Sequence, residues 1–192
     1  MTSRDDSGSQ LASLSRRRLL RDGTLSAAAI GLLAGAPTLV IPRRSEAASE
    51  QDVRILGSAL SAEHEAVAAY GVAARSGLLS GPVLDLAVQF RGQHEEHVDL
   101  LASTVRKLGG EPAEPRDSYS FPVEELKNRD DVLRFAAELE KGAVSAYLGA
   151  VPILGNGELA KAAASILGDE AMHWAVLRYV LGENPVPHAF VS

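Results

Sequence analysis

Two octapeptides, EHEAVAAY at residues 63–70 and EKGAVSAY at residues 140–147, place Glu, Val and Tyr at the same spacing. A Glu and a Tyr seven residues apart are separated by almost two helical turns, so both lie on one face of a helix. Apolar residues continue on either side of each octapeptide at the three- and four-residue spacing of an amphipathic helix. The pattern predicts two helices that each direct a glutamate toward an apolar core.

Helical periodicity extends to four blocks, and no segment alternates as a half-buried strand would. The blocks are residues 51–76, 82–108, 130–153 and 158–181. Each block has one apolar face, which predicts an all-α protein. The predicted buried faces are Leu56, Leu60, Val67, Tyr70 and Ala74 in the first block, Leu84, Val88, Val98, Leu101 and Val105 in the second, Val132, Phe135, Leu139, Ala143, Tyr147 and Val151 in the third, and Ala163, Ile166, Leu177 and Val180 in the fourth.

The links between the blocks predict the topology. Residues 77–81 and 155–157 are short links, so the helices that they join pack as antiparallel pairs. The link at residues 109–129 contains three prolines and is long enough to run the height of a bundle. We therefore predict an antiparallel four-helix bundle of two helical hairpins joined by one long crossover.

Six polar residues fall on the predicted apolar faces. His94-x-x-His97 in the second block matches Glu170-x-x-His173 in the fourth, as the two octapeptides match in the first and third, so the halves repeat. Any one of these residues alone would be a boundary residue, but unpaired buried carboxylates cost several kcal/mol and a cation offsets that cost. We predict a metal site at Glu63, His94, His97, Glu140, Glu170 and His173, with a metal-free polar core as the alternative.

The same spacing suggests the metal and its surroundings. One Glu from each of two helices plus Glu-x-x-His from the other two is the ligand pattern of ferritin-like di-iron and di-manganese bundles. Iron or manganese, as one or two ions, is the expected cofactor, and zinc accepts the same ligand atoms. Tyr70 and Tyr147 are predicted to hydrogen-bond the ligands, with core packing as their alternative role. His64 and His188 are predicted to have no role in the site.

Further segments strengthen the resemblance to one family. SYSFPV at residues 118–123, AAASIL at residues 162–167 and NPVP at residues 184–187 resemble the ferritin-like domain family that includes desiccation-related proteins. The resemblance begins at about Val53 and implies a ferritin-like fold with a di-iron type of centre. His94 departs from the family pattern, which has Glu there. Because a carboxylate bridges two ions and a neutral imidazole does not, a single-metal or asymmetric site is an expected consequence.

Composition excludes several other classes of function. The 192-residue chain contains no Cys, which rules out disulfides, thiolate metal sites and cysteine nucleophiles. After residue 47 the chain has 12 basic and 21 acidic residues, a net charge of −9. Nucleic-acid binding depends on clustered Lys and Arg, so no nucleic-acid partner is expected.

The first 47 residues resemble a twin-arginine signal peptide. Arg16 and Arg17 follow Ser15, a weakly apolar segment occupies residues 24–41, and small residues surround the bond after Ala47. The alternative, an uncleaved membrane anchor, is less favoured because the segment falls short of the roughly 20 strongly apolar residues that a span requires. We predict a cleaved signal at residues 1–47 and a ferritin-like domain at residues 48–192.

Such a signal implies partners and a location. The expected partners are the twin-arginine export machinery and signal peptidase, and the expected location is the cell envelope, the periplasm or the extracellular space. Two functions fit the sequence: an oxidoreductase acting on peroxide or dioxygen, and a non-catalytic envelope protein of stress or desiccation. Iron storage ranks third, because the sequence has no acidic nucleation cluster. A homo-oligomer is compatible with the sequence.

Overall fold

The computed structural model of the protein describes residues 46–191. Its secondary structure consists of α1 (Glu46–Arg75), α2 (Gly81–Lys107), α3 (Arg129–Ala150), a short 3-10 helix (Val151–Ile153) and α4 (Gly157–Val180), and this part of the chain contains no strand. The four helices match the four predicted blocks to within a few residues at every boundary except the start of α1. The predicted all-α fold is confirmed.

Local signals in the sequence set the helix boundaries. Asn128 caps α3 by accepting a hydrogen bond from the Asp131 backbone N–H, and Asp131 bonds the Asn128 backbone N–H in return. Asn156 caps α4 through the Glu158 N–H. After α1 and α2 the chain turns at Gly77 and Gly109, whose φ values of 74° and 82° favour glycine.

Helices α1 and α2 form one antiparallel hairpin and α3 and α4 form the other, and α1 also packs on α3. The Gln51 amide at the start of α1 donates a hydrogen bond to the Ile153 carbonyl just after α3, while Tyr70 near the end of α1 bonds Glu140 in the middle of α3. Helices α1 and α3 are therefore antiparallel. The segment at residues 109–128 is the predicted long crossover, and the arrangement is the predicted four-helix bundle.

Two apolar clusters fill the bundle, one toward each end. The first includes Tyr70, Ala73, Leu79, Ala87, Phe90, Val132, Leu133, Ala136, Ala137 and Leu177. The second includes Leu56, Leu60, Leu101, Val105, Tyr147, Leu154, Leu159, Ala163 and Ile166. The buried Glu and His side chains occupy the stretch of each helix between these clusters.

The predicted buried faces are only partly correct. The predicted burial of Val88 is wrong, because Val88 is 56% exposed, whereas Ala87 and Phe90 lie on the buried face of α2. Ala143 and Leu139 are half-buried, since the buried face of α3 runs through Ala136, Glu140 and Val144. Val67, Ala74, Leu84, Val98, Phe135, Val151 and Val180 are also half-buried. The direction in which the buried face of a helix points depends on which neighbouring helices cover it. Apolar periodicity alone does not determine this direction.

The predicted signal peptide lies almost wholly outside the described residues. Arg16, Arg17 and the apolar segment belong to residues 1–45, and the predicted cleavage site after Ala47 falls in the first turn of α1. The signal and the domain boundary stay predictions. Within residues 46–191, no helix has the length and apolar character required to cross a membrane.

Candidate metal centre

The six predicted side chains meet at one place, with ligand atoms from all four helices. Glu63 comes from α1, His94 and His97 from α2, Glu140 from α3, and Glu170 and His173 from α4. Five of these residues are almost completely buried, and the side chain of His97 is 12% exposed. The heptad spacing from glutamate to tyrosine on α1 and α3 and the three-residue spacing on α2 and α4 direct them all inward.

The first group of potential ligands comprises Glu63, His94, His97 and Glu170, which offer atoms that lie within 4.8 Å of one another. Glu63 Oε2 is 2.8 Å from His94 Nδ1 and 3.4 Å from His97 Nδ1. Glu170 Oε1 is 3.1 Å from His97 Nδ1 and 3.6 Å from His94 Nδ1. Two carboxylates and two imidazoles thus surround one small volume.

The second group comprises His94, Glu140, Glu170 and His173, with atoms within the same 4.8 Å limit. Glu140 Oε1 is 3.3 Å from His94 Nε2 and 3.4 Å from His173 Nδ1. Glu170 Oε2 is 3.5 Å from His173 Nδ1. Glu170 and His94 belong to both groups, so the two groups share residues and lie side by side.

Each tyrosine of the repeated octapeptides donates a hydrogen bond to the glutamate of the opposite octapeptide. Tyr70 donates to Glu140, and Tyr147 donates to Glu63 Oε1 at 2.6 Å. Both hydroxyls are buried, as are both carboxylates. These crossed bonds link α1 to α3 and fix one oxygen of each carboxylate, so the tyrosines hydrogen-bond the predicted ligands as well as packing in the core.

Asp169 and Gln93 also belong to the site, and the sequence analysis missed both. Asp169 Oδ2 is 3.3 Å from His97 Nε2 and 3.4 Å from His173 Nε2. Gln93 Oε1 is 2.9 Å from His173 Nε2. These oxygens face the outer nitrogens, which leaves Nδ1 of both imidazoles facing the carboxylates. Gln93 and Asp169 each immediately precede a predicted ligand in the sequence, and this position next to a ligand is the signal that could have identified them.

A cation suits this donor set. Both oxygens of Glu170 and the Nδ1 atoms of His97 and His173 are buried without a hydrogen-bond partner among the described residues. Buried polar atoms normally have partners, so four orphaned atoms on three neighbouring residues require an explanation. Ligands bonded to one transition-metal ion at about 2.1 Å stand roughly 3 to 4 Å apart. The Glu170 oxygens lie 3.1 Å from His97 Nδ1 and 3.5 Å from His173 Nδ1, within that range. Oxygen and imidazole nitrogen are donors that iron, manganese and zinc accept.

The three imidazoles are strongly basic in the metal-free protein. Burial alone would lower their pKa values, but close contacts with the negatively charged glutamates outweigh burial. The pKa of His94 rises to about 10 through Glu140 and Glu63. The pKa values of His97 and His173 rise to about 9 through Glu170 and its neighbours. Without metal, imidazolium groups therefore supply the positive charge of the cluster at neutral pH.

The pKa values of the three glutamates shift in different directions. Burial favours a raised pKa for Glu63, but its contacts with His94 and His97 outweigh burial and lower the pKa to about 2. Contacts with His173 and His94 likewise lower the pKa of Glu140 despite its burial. The pKa of Glu170 is raised by burial and by the adjacent Glu140. Glu170 is therefore the carboxylate that the metal-free protein compensates least.

These pKa values predict how the stability of the metal-free protein depends on pH. The folded protein holds protons on His94, His97 and His173 up to pH 9 to 10, whereas unfolded histidines release them near pH 6.5. This stabilisation is complete below pH 6.5 and is lost as pH rises through 9 to 10. We expect the melting temperature of chelator-treated protein to fall by at least about 5 °C from pH 6.5 to 9.5. A melting temperature that stays constant or rises over this range would contradict the assignment.

The fold and the site together define a class of protein: a helical bundle with a carboxylate and histidine cluster that could bind metal at its centre. The chain matches the Ferritin-like domain family over residues 51–183 and belongs to that family. No curated protein sequence matches the chain.

Three solved structures share the fold. A conserved hypothetical protein from Mycobacterium tuberculosis is 24% identical, with a TM-score of 0.64 over 76% of this chain and 99% of that one. A ferritin-like, diiron-carboxylate protein from Bacillus anthracis is 20% identical, with a TM-score of 0.59 over 70% and 97% of the two chains. The bacterioferritin of Desulfovibrio desulfuricans, described with a diiron site, is 16% identical, with a TM-score of 0.66 over 73% and 84%. At these identities the similarity shows the fold alone.

Proposed function

We propose that this protein binds two iron or manganese ions at the centre of the bundle and acts as an oxidoreductase on peroxide or dioxygen. The observation that carries the proposal is the environment of Glu170, which belongs to both ligand groups and has two buried oxygens without hydrogen bonds among the described residues. The diiron descriptions of the Bacillus and Desulfovibrio structures support iron as the first choice. Bound ions would supply electrons for the reduction of a small oxidant.

The two ions are expected to bind unequally. Three glutamates contribute three negative charges, whereas two divalent ions carry four positive charges, so one positive charge stays uncompensated. His94 lies in both ligand groups, but a neutral imidazole does not bridge two ions as a carboxylate does. We infer that the first ion binds more tightly than the second.

Residues around the ligands would keep the centre in place. Tyr147 and Tyr70 hold one oxygen each of Glu63 and Glu140 through their hydrogen bonds. Asp169 lies against Nε2 of both His97 and His173 and orients the Nδ1 atoms toward the carboxylates. The apolar clusters on either side limit the access of water and strengthen the electrostatic interactions of the buried groups.

A direct test of the oxidoreductase proposal is the reaction of Fe(II)-loaded protein with hydrogen peroxide. We expect the rate of Fe(II) oxidation, followed by absorbance in stopped flow, to exceed that of the Glu170→Gln variant by at least about tenfold, because removal of a ligand removes the bound ions. Asp52→Asn is a matched control, since Asp52 is a buried carboxylate that bonds Gly155 N–H outside the centre. Tightly bound iron that reacts no faster than free Fe(II) would refute catalysis.

A non-catalytic envelope protein is the second candidate, and the position of His94 favours it. His94 Nδ1 faces Glu63 and His94 Nε2 faces Glu140, at 2.8 and 3.3 Å. As an imidazolium ion it offsets two buried carboxylates without any metal. In this alternative the cluster links the helices and the protein acts through its stability under stress or desiccation.

Export by the twin-arginine pathway is part of the proposal. The Ser-Arg-Arg-Arg sequence at residues 15–18 supports it, because the pathway reads a paired arginine ahead of an apolar segment. We expect the mature protein to begin at Ala48 or one residue later, and replacement of Arg16 and Arg17 by Lys to retain the precursor in the cell. N-terminal sequencing of the envelope fraction is the measurement, and an intact N-terminal segment there would favour the membrane anchor.

A further inference from the structure

A cavity of about 570 Å³ lies on the face formed by α1 and α3, and it reaches the candidate centre. Its buried lining residues are Glu63, His94, Glu140 and Tyr147. On the other side of the centre, Tyr70 packs against Phe90 within an apolar cluster. The centre is therefore more accessible on the Tyr147 side than on the Tyr70 side.

Small side chains keep this cavity open. Ala62 and Ala146 line it, and so do Gly142 in the interior of α3 and Gly149 in the last turn of that helix. Glycine weakens a helix relative to alanine, so two glycines in one helix require a reason. A Cβ atom added at either glycine would meet no atom within 4 Å in the described part of the chain. Close packing within this chain is therefore not the reason, and both glycines leave open space along the wall of the cavity.

The size of the cavity argues for an organic ligand. One water molecule occupies about 30 Å³ in the liquid, and peroxide or dioxygen requires little more. Cavities of several hundred Å³ are typical of sites for organic molecules and cofactors. A passage for the oxidant alone would not require this volume.

The charge of the lining selects among organic ligands. Glu65 and Glu138 line the cavity in addition to the two buried glutamates. Among the described residues, no Lys or Arg lines it. The His94 imidazolium offsets the two buried glutamates. The charges of Glu65 and Glu138 have no such partner among the described lining residues, so they disfavour anionic ligands. The alanine, glycine and isoleucine walls favour an apolar molecule.

We propose that the cavity between α1 and α3 binds an uncharged, largely apolar organic molecule next to Glu63 and Tyr147. This proposal deepens the proposed function, because it gives the class of organic substrate that reaches the same centre. Binding depends on the shape and charge of the cavity and takes place in the metal-free protein as well. A test without metal therefore separates failure of this proposal from failure of the metal proposal.

The test uses chelator-treated full-length protein and the uncharged fluorophore N-phenyl-1-naphthylamine. We expect saturable fluorescence enhancement and displacement of the probe by decanol. Decanoate, which has the same chain length and one negative charge, should displace it at least about tenfold less well, because the acidic lining repels anions. Equal displacement by decanoate and decanol would overturn the charge argument.

Matched glycine variants locate the binding site. Gly142→Leu places a side chain in the cavity and should weaken probe binding at least about tenfold by filling the space. Gly57→Leu is the control, because Gly57 also lies in a helix with no atom within 4 Å of an added Cβ but does not line the cavity. Unchanged binding in Gly142→Leu would overturn the proposal. A dimer that binds no probe and that Gly142→Leu dissociates would instead show that a second copy covers this face.

Discussion

The Glu170→Gln variant is expected to lose all bound metal, since Glu170 is the glutamate that both ligand groups share. Glutamine keeps the volume of the side chain but removes its charge, and neutral amides are poor ligands for transition metals. We expect less than about 0.1 ion per chain in elemental analysis, against at least one in the parent. Glu140→Gln should remove only the second ion, because Glu140 is absent from the first group.

The same variant separates loss of metal from loss of folding. Burial and the adjacent Glu140 raise the pKa of Glu170, and both of its oxygens are buried without hydrogen bonds among the described residues. A neutral side chain removes a charge that burial disfavours, but it also removes the contacts of Glu170 with His97 and His173, so the melting curve of metal-free Glu170→Gln shows whether the variant still folds. Added Fe(II) should raise the melting temperature of the parent and leave that of the variant unchanged. Full metal content in Glu170→Gln would contradict the proposed ligand set.

The His94→Glu variant is expected to show the second large effect, a gain of metal. A fourth carboxylate balances the four positive charges of two divalent ions, and unlike a neutral imidazole it bridges them. We expect the dissociation constant of the second Fe(II) ion to fall at least about tenfold, as measured by equilibrium dialysis under anaerobic conditions. His94→Gln, which is neutral and does not bridge, should bind no better than the parent.

Without metal, the same substitution should be costly. The parent offsets Glu63 and Glu140 with the His94 imidazolium, whereas the variant places a fourth carboxylate in contact with them. The melting temperature of metal-free His94→Glu should fall by about 10 °C or more, because an uncompensated buried charge costs several kcal/mol. Fe(II) should restore it. A variant that is stable without metal and gains none would favour the non-catalytic function.

The sequence predicted the fold because its main signals are local. The Asn128 and Asn156 caps, the glycines at residues 77 and 109 and the apolar periodicity each act within a few residues, and all of them favour the same four helices. The repeated octapeptides added long-range information. A glutamate and a tyrosine on the apolar faces of both α1 and α3 had to meet in the core, and the crossed hydrogen bonds show that they do.

Other features depend on packing that the sequence alone does not reveal. Asp169 is half-buried and does not belong to the apolar face of α4, so the sequence does not mark it. Its contacts with His97 and His173 appear only once α2 and α4 are placed side by side. The cavity on α1 and α3 arises from small residues contributed by two helices far apart in the chain. Val88 is 56% exposed although it lies beside the buried Ala87, and apolar periodicity does not distinguish the two positions.

The central claim is that the cluster at the centre of the bundle holds metal, and the metal content of the protein tests it most directly. The measurement is equilibrium dialysis of untagged, chelator-treated protein against Fe(II) without oxygen, followed by elemental analysis. We predict one tightly bound ion per chain and a second that binds more weakly, because the two positions share Glu170 and His94. Fewer than about 0.1 ion per chain, with no increase in the His94→Glu variant, would contradict the claim.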